Sequence, residues 1–298
     1  MGDLGSAVPP GPSASRRLRS WRPPLAVRTV VVLGAATLIW VAVDAGLDPF
    51  FGNPPDDRLG HALRAVLTAA LAVPLVVLGR RHLDARPWAG LALTPLRSGG
   101  LRSLLSGAAF WLGAAAVGTA VTIAAGGATI AVVDIDAQAL LLALYLPVLV
   151  LLFEALPEEL IFRGYLYRNL ADRFTRWTAV TGQAALFTVW GTVLGPAGSV
   201  DRVLLFFSFS LALGALRVVA GSVWAPIGFH LAFQWVAQYL GASDGAFAVD
   251  GRGALDVVAM WLFPIALGTV VLVIAGARRG VRWSERDPDG PVPVPATS

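Results

Sequence analysis

Eight apolar segments recur along the chain, near residues 25–44, 59–79, 101–126, 137–156, 177–195, 203–220, 223–241 and 255–276. A bilayer core about 30 Å thick takes roughly 20 apolar residues of helix, and most of these segments reach that length. The sixth is the shortest and rests on the run Val203–Leu216. Within lipid the backbone must satisfy its own hydrogen bonds, which an α-helix does segment by segment. Only 14% of the residues are charged and mean hydropathy is +0.69, against roughly 25% charge in soluble domains. The expected fold is all-α, a polytopic membrane protein of about eight transmembrane helices.

The polar stretches divide the chain into a cytosolic N-terminal tail over 1–24, a transmembrane domain over 25–282 and a C-terminal tail over 283–298. Both tails are rich in Pro, Ser or Gly and are expected to be disordered. The segment 25–44 follows Arg16, Arg17 and Arg19 and has the shape of a signal sequence. No clear small-x-small cleavage site follows it, so a retained helix is expected. No internal repeat is evident, and no loop is long enough for a separate soluble domain.

The sequence pI is about 10.3, but the basic residues are dispersed in short runs between apolar segments, so nucleic acid is not an expected partner. All 23 are Arg. With the N-terminus inside, every one except Arg58, Arg64, Arg202 and Arg252 falls in a cytosolic segment, as the positive-inside rule requires. Asp44, Asp48, Asp134, Asp136, Asp201 and Asp244 belong to the opposite side. Eight spans with both termini cytosolic follow, in a multi-pass protein of the cell membrane. The chain has no Cys, which excludes disulfides and thiolate chemistry.

The densest polar cluster is Glu154-Ala-Leu-Pro157-Glu158-Glu159-Leu-Ile-Phe162-Arg163-Gly164-Tyr165. Ionisable residues at membrane depth are costly and read as functional, with a partner expected. Glu159 and Arg163 are four apart, so a helix places them on one face to pair. Glu158 projects about 100° away and is free to face a cavity. Glu154 shares that face only if the helix continues past Pro157, where a kink or a new helix start is expected. The bland alternative is an interfacial helix end with solvated charges, since Arg168, Arg173 and Arg176 follow closely.

A second cluster is Gly221-Ser222-Val223-Trp224-Ala225-Pro226-Ile227-Gly228-Phe229-His230, with Gln234 one turn later. A lone helical His is more often a hydrogen-bonded packing residue than a catalyst. Depth argues for the site here. At about 1.5 Å per residue, His230 and Glu158 both fall in the cytosolic half of the bilayer.

Glu158-Glu159-x-x-x-Arg163-Gly164-Tyr165, together with the Trp224–His230 segment, resembles the CPBP family of intramembrane proteases. This family is also called the CAAX protease and bacteriocin-processing, or Abi, family, and the resemblance covers about residues 137–241. It implies an eight-helix fold similar to the type II CAAX prenyl protease, with a conical cavity open to the cytosol. It also implies that Glu158 activates a water, that Glu159 and Arg163 order the site, and that His230 and Gln234 stabilise the oxyanion. Burial suits a glutamate to general-base work, and oriented donors supply the electrostatic stabilisation.

Two positions depart from the family pattern. The second motif, Phe-x-x-x-His, appears as Phe187-Thr188-Val189-Trp190-Gly191, and Gln234 stands where Asn or Asp is usual. No bound metal or other cofactor is expected, because a catalytic zinc needs three protein ligands and the candidates are one His and two or three Glu. The leading expectation is a membrane-embedded endopeptidase acting on a membrane-associated peptide or protein. The alternative is a catalytically impaired relative that binds or regulates a membrane partner. A small proton-coupled transporter ranks behind both for want of repeats. The Gly-rich stretch Gly107–Gly127 permits close helix packing.

Overall fold

The computed structural model describes residues 22–51, 57–242 and 244–288. The tail expected over residues 1–24 falls outside this set apart from Arg22–Pro24. Eight long helices are present among the described residues. They are α1 (Leu25–Leu47), α2 (Arg58–Leu83), α3 (Gly100–Ala124), α4 (Ala137–Ala171), α5 (Arg176–Leu194), α6 (Val200–Ala220), α7 (Trp224–Gly241) and α8 (Arg252–Arg278). All except α5 and α7 are long and apolar enough to cross a membrane, so this is a multi-pass membrane protein. A two-stranded antiparallel ribbon, absent from the all-α expectation, pairs β1 (Thr129–Val132) with β2 (Phe247–Asp250). It joins the loop after α3 to the loop before α8.

Local chemistry sets where the helices begin. Asp57 accepts from Gly60 N at 3.0 Å, Asp136 from Ala139 N at 2.8 Å and Thr175 from Thr178 N at 3.3 Å. These caps satisfy amides that the first helical turn leaves without a partner. α4 is longer than its apolar run near 137–156. It passes Pro157 without ending, by widening into π-turns at Leu151–Ala155 and Leu160–Leu166. Proline removes one helical donor, and a π-turn redistributes the neighbouring bonds, so the expected break becomes a bulge on either side of the two glutamates.

α3 and α7 make the closest helix pair. A Cβ at Gly107 would collide with the carbonyl of Ala225, and one at Gly228 with the carbonyl of Leu104. Two glycines on opposing faces therefore let the backbones touch, which is how helices associate tightly in lipid.

One end of the bundle is tied by a buried carboxylate. Asp84, 0% exposed, accepts from Arg28 Nη1 at 2.6 Å, Arg80 Nη1 at 3.1 Å, Asn169 Nδ2 at 3.0 Å and Tyr165 Oη at 3.3 Å. Those partners belong to α1, α2 and α4. The same end holds residues 283–288, where a disordered tail was expected. Trp177 N donates to Trp283 O at 3.1 Å, Arg176 N to Glu285 O at 2.9 Å and Asp287 N to Ala171 O at 3.2 Å. Paired backbone and the Trp177–Trp283 edge contact at 6.1 Å hold this stretch. Residues 289–298 lie outside the described set.

Candidate active site

The glutamates of α4 and the histidine of α7 meet inside the bundle. Glu159 is 0% exposed, and its Oε1 accepts from Arg163 Nη1 at 2.9 Å and lies 2.9 Å from His230 Nδ1. The pairing of Glu159 with Arg163 along the helix is thus as expected from their spacing. A carboxylate is acceptor-only, so the shared contact places a proton on Nδ1 and leaves Nε2 as the nitrogen available for chemistry. Arg163 extends the network by donating from Nη2 to Ser210 Oγ at 2.8 Å. Gln183 Nε2 in turn donates to Ser210 O at 3.0 Å. Side chains of α4 and α6 therefore bond one buried guanidinium, and Phe187 of α5 stacks on it with its ring centroid 4.7 Å away.

Glu158 behaves differently from its neighbour. It is half-buried, lines a cavity of about 730 Å³, and makes no hydrogen bond or ion pair among the described residues. Glu154, His230 and Gln234 line the same cavity. The structure therefore brings Glu158, His230 and Gln234 to one space, with Glu159 and Arg163 behind them. Aromatic rings contribute much of the wall, including Trp40, Phe153, Phe187, Trp190, Phe206 and Phe209. Phe209 also holds the His230 ring edge-to-face at 5.1 Å.

Sequence does not single out Ser210, Gln183 or Phe206, and it places Glu154 here only on condition that the helix continues. Glu154 is oriented by Gln238 Nε2 at 2.8 Å, and it joins the cavity because α4 continues through Pro157. Ser210 and Gln183 carry no motif signal; only the fold reveals that Ser210 accepts from Arg163 and that Gln183 holds Ser210. Phe206 answers the question raised by Gly191. A Cβ at Gly191 would lie 2.5 Å from Phe206 Cε1, and the two rings Phe187 and Phe206 stack at 5.4 Å. The space beside Gly191, where the motif resemblance leads to an expected histidine, is filled by a phenylalanine ring from α6.

The cavity runs toward Asp44, Asp48, Pro196 and Arg202, at the end of α1, the end of α5 and the start of α6. The Arg-rich segments lie at the other end of these helices. The two expectations of a cytosol-facing cavity and an Arg-rich cytosolic end therefore do not meet in this cavity. Its mouth is on the side that the arginine distribution assigns to the exterior.

The donor set does not fit a metal centre. Glu159 Oε1 is committed to Arg163 and His230, and no three His, Asp or Glu side chains converge as ligands among the described residues. A zinc site requires three such ligands.

Residues 138–236 match the family model described as type II CAAX prenyl endopeptidase Rce1-like. No curated protein matches the chain.

Proposed function

From the resemblance of residues 138–236 to the Rce1-like type II CAAX prenyl endopeptidases, we propose that the chain is an intramembrane endopeptidase of the cell membrane. In this reading Glu158 is the general base. The observation that carries it is the division of labour between adjacent carboxylates. Glu159 is locked between Arg163 and His230, while Glu158 faces a cavity without a partner among the described residues. A general base must reach water and substrate, and of the two only Glu158 has such access.

In this reading Glu158 takes a proton from a water whose oxygen attacks the scissile peptide carbonyl. The carbonyl π-electrons move onto oxygen, giving a tetrahedral oxyanion beside His230 Nε2 and the Gln234 amide. His230 acts as a donor there only when Nε2 also carries a proton, and the Glu159 carboxylate at Nδ1 balances that charge. Collapse of the intermediate breaks the C–N bond, and the Glu158 proton passes to the leaving amine. Donors aimed at the developing oxyanion supply a large share of such catalysis. The aromatic walls suit an apolar peptide segment delivered from the bilayer.

A second reading is a binding or regulatory relative without hydrolysis. Gly191 favours it, because it leaves Glu158 without a second-motif histidine, and the Phe206 ring fills the space beside it. The experiment that separates the two compares wild-type protein with Glu158→Gln in liposomes carrying a membrane-peptide library. Hydrolysis by wild type alone supports the enzyme. Equal hydrolysis by both removes Glu158 from its role. Capture of one peptide by both forms, with no cleavage, establishes the binding protein.

A further inference from the structure

A second, strongly basic cavity of about 480 Å³ lies at the Arg-rich end of the bundle, between α4, α5, α6 and the segment following α8. It is lined by five arginines, Arg168, Arg176, Arg217, Arg279 and Arg282, against the carboxylates of Glu285 and Asp287. Both carboxylates are engaged. Asp287 accepts from Arg168 Nη1 at 3.3 Å and Arg176 Nη2 at 3.4 Å, and Glu285 pairs with Arg282 at 3.1 Å. Arg279 Nη1 donates to Val219 O at 2.5 Å. Arg217 is left over. It is 4% exposed, its Nε is buried without a partner, and among the described residues its side chain makes no hydrogen bond or ion pair; it stacks 5.4 Å over Tyr167 and feels Asp287 only at a distance. Arg168 Nε and Nη2 are likewise buried without partners.

Burying a guanidinium without an anion is costly, and two carboxylates do not neutralise five cations. We propose that this cavity is a phosphate-binding site, with Arg217 and the unsatisfied edge of Arg168 forming its floor. Guanidinium forks match phosphate oxygens in pairs. The surroundings supply the position of a lipid headgroup. Trp177, 58% exposed, directly follows Arg176 of the cavity wall at the start of α5, and tryptophans mark the headgroup level of a membrane. The phosphate is that of an anionic lipid headgroup or free inorganic phosphate; the chemistry of recognition is the same. The site shares no side chain with the cavity that holds Glu158 and stands whether or not the chain hydrolyses peptides.

Purified full-length protein, stripped of lipid in neutral detergent, is titrated at fixed ionic strength with phosphatidylglycerol, phosphatidylcholine or inorganic phosphate. Binding is read by native mass spectrometry and by the shift in melting temperature. Saturable binding of phosphatidylglycerol at least tenfold tighter than phosphatidylcholine identifies the headgroup. Saturation by inorganic phosphate with no preference between the lipids identifies the free anion. Arg217→Gln is expected to weaken whichever ligand binds by tenfold or more, and Arg217→Lys, which keeps the charge but not the fork, by less. Arg97→Gln, outside the cavity, is expected to bind as wild type. The proposal is overturned if wild type binds neither anion saturably, or if Arg217→Gln and Arg217→Lys both bind as wild type does.

Discussion

Adjacent carboxylates with opposite surroundings give distinct mutational signatures. Glu159 compensates a fully buried Arg163, so Glu159→Ala leaves that cation uncompensated. The expected destabilisation is about 3–5 kcal/mol, measurable as a shift in the denaturation midpoint in detergent. Glu158→Ala breaks no bond among the described residues and is expected to leave that midpoint nearly unchanged. Under the proposed chemistry it lowers peptide hydrolysis by at least about 10²–10⁴-fold. A reversed pattern, with Glu158 stabilising and Glu159 dispensable, would contradict the assignment of roles. Gly191 permits the complementary gain. Gly191→His alone forces a side chain into the Phe206 ring, and overpacking of this kind costs about 1–3 kcal/mol. Pairing it with Phe206→Ala opens the space. The double variant is expected to hydrolyse faster than wild type, by up to about 10²-fold if the imidazole reaches the water. A rate no higher than that of Phe206→Ala alone would show that the imidazole does not assist.

Helix α7 carries both His230 and Gln234, so its seat against α3 sets their aim. Gly228→Ala pushes a methyl against the Leu104 carbonyl. It is expected to destabilise the pair by about 1–3 kcal/mol and to lower hydrolysis more than binding, which a split between kcat and KM would reveal. Helices of this kind are legible from sequence because hydropathy is a local signal, and every apolar segment corresponds to a helix here. Glu159–Arg163 was legible for the same reason, as a spacing on a single helix. What escaped is what depends on hydrogen-bond register or distant partners. Pro157 reads as a kink or a new helix start by the rule for α-helices, whereas π-turns carry α4 on to Ala171. That continuation brings Glu154 into the cavity. The Asp84 cluster joins residues from three helices, and no periodicity encodes such a meeting. Phe206 filling the space beside Gly191 belongs to the same class.

At the scale of the whole molecule, the two cavities lie at opposite ends of the bundle. Under the positive-inside rule the Arg-rich end, with the basic cavity, would face the cytosol, while the larger cavity runs toward Asp44, Asp48 and Arg202 at the opposite end. If the arginines set the orientation, an apolar peptide reaches Glu158 from the outer leaflet or the exterior. A chain without cysteine makes this directly measurable. Ala45→Cys places a thiol at an exposed position in the cavity mouth, and Arg282→Cys places one at the basic end. In intact cells, a membrane-impermeant thiol reagent is expected to label Ala45→Cys and to spare Arg282→Cys until the membrane is opened. The opposite pattern would invert the molecule and restore the cytosol-facing cavity expected from its resemblance. Labelling of Ala45→Cys that slows when a bound peptide is present would further establish this mouth as the route to Glu158.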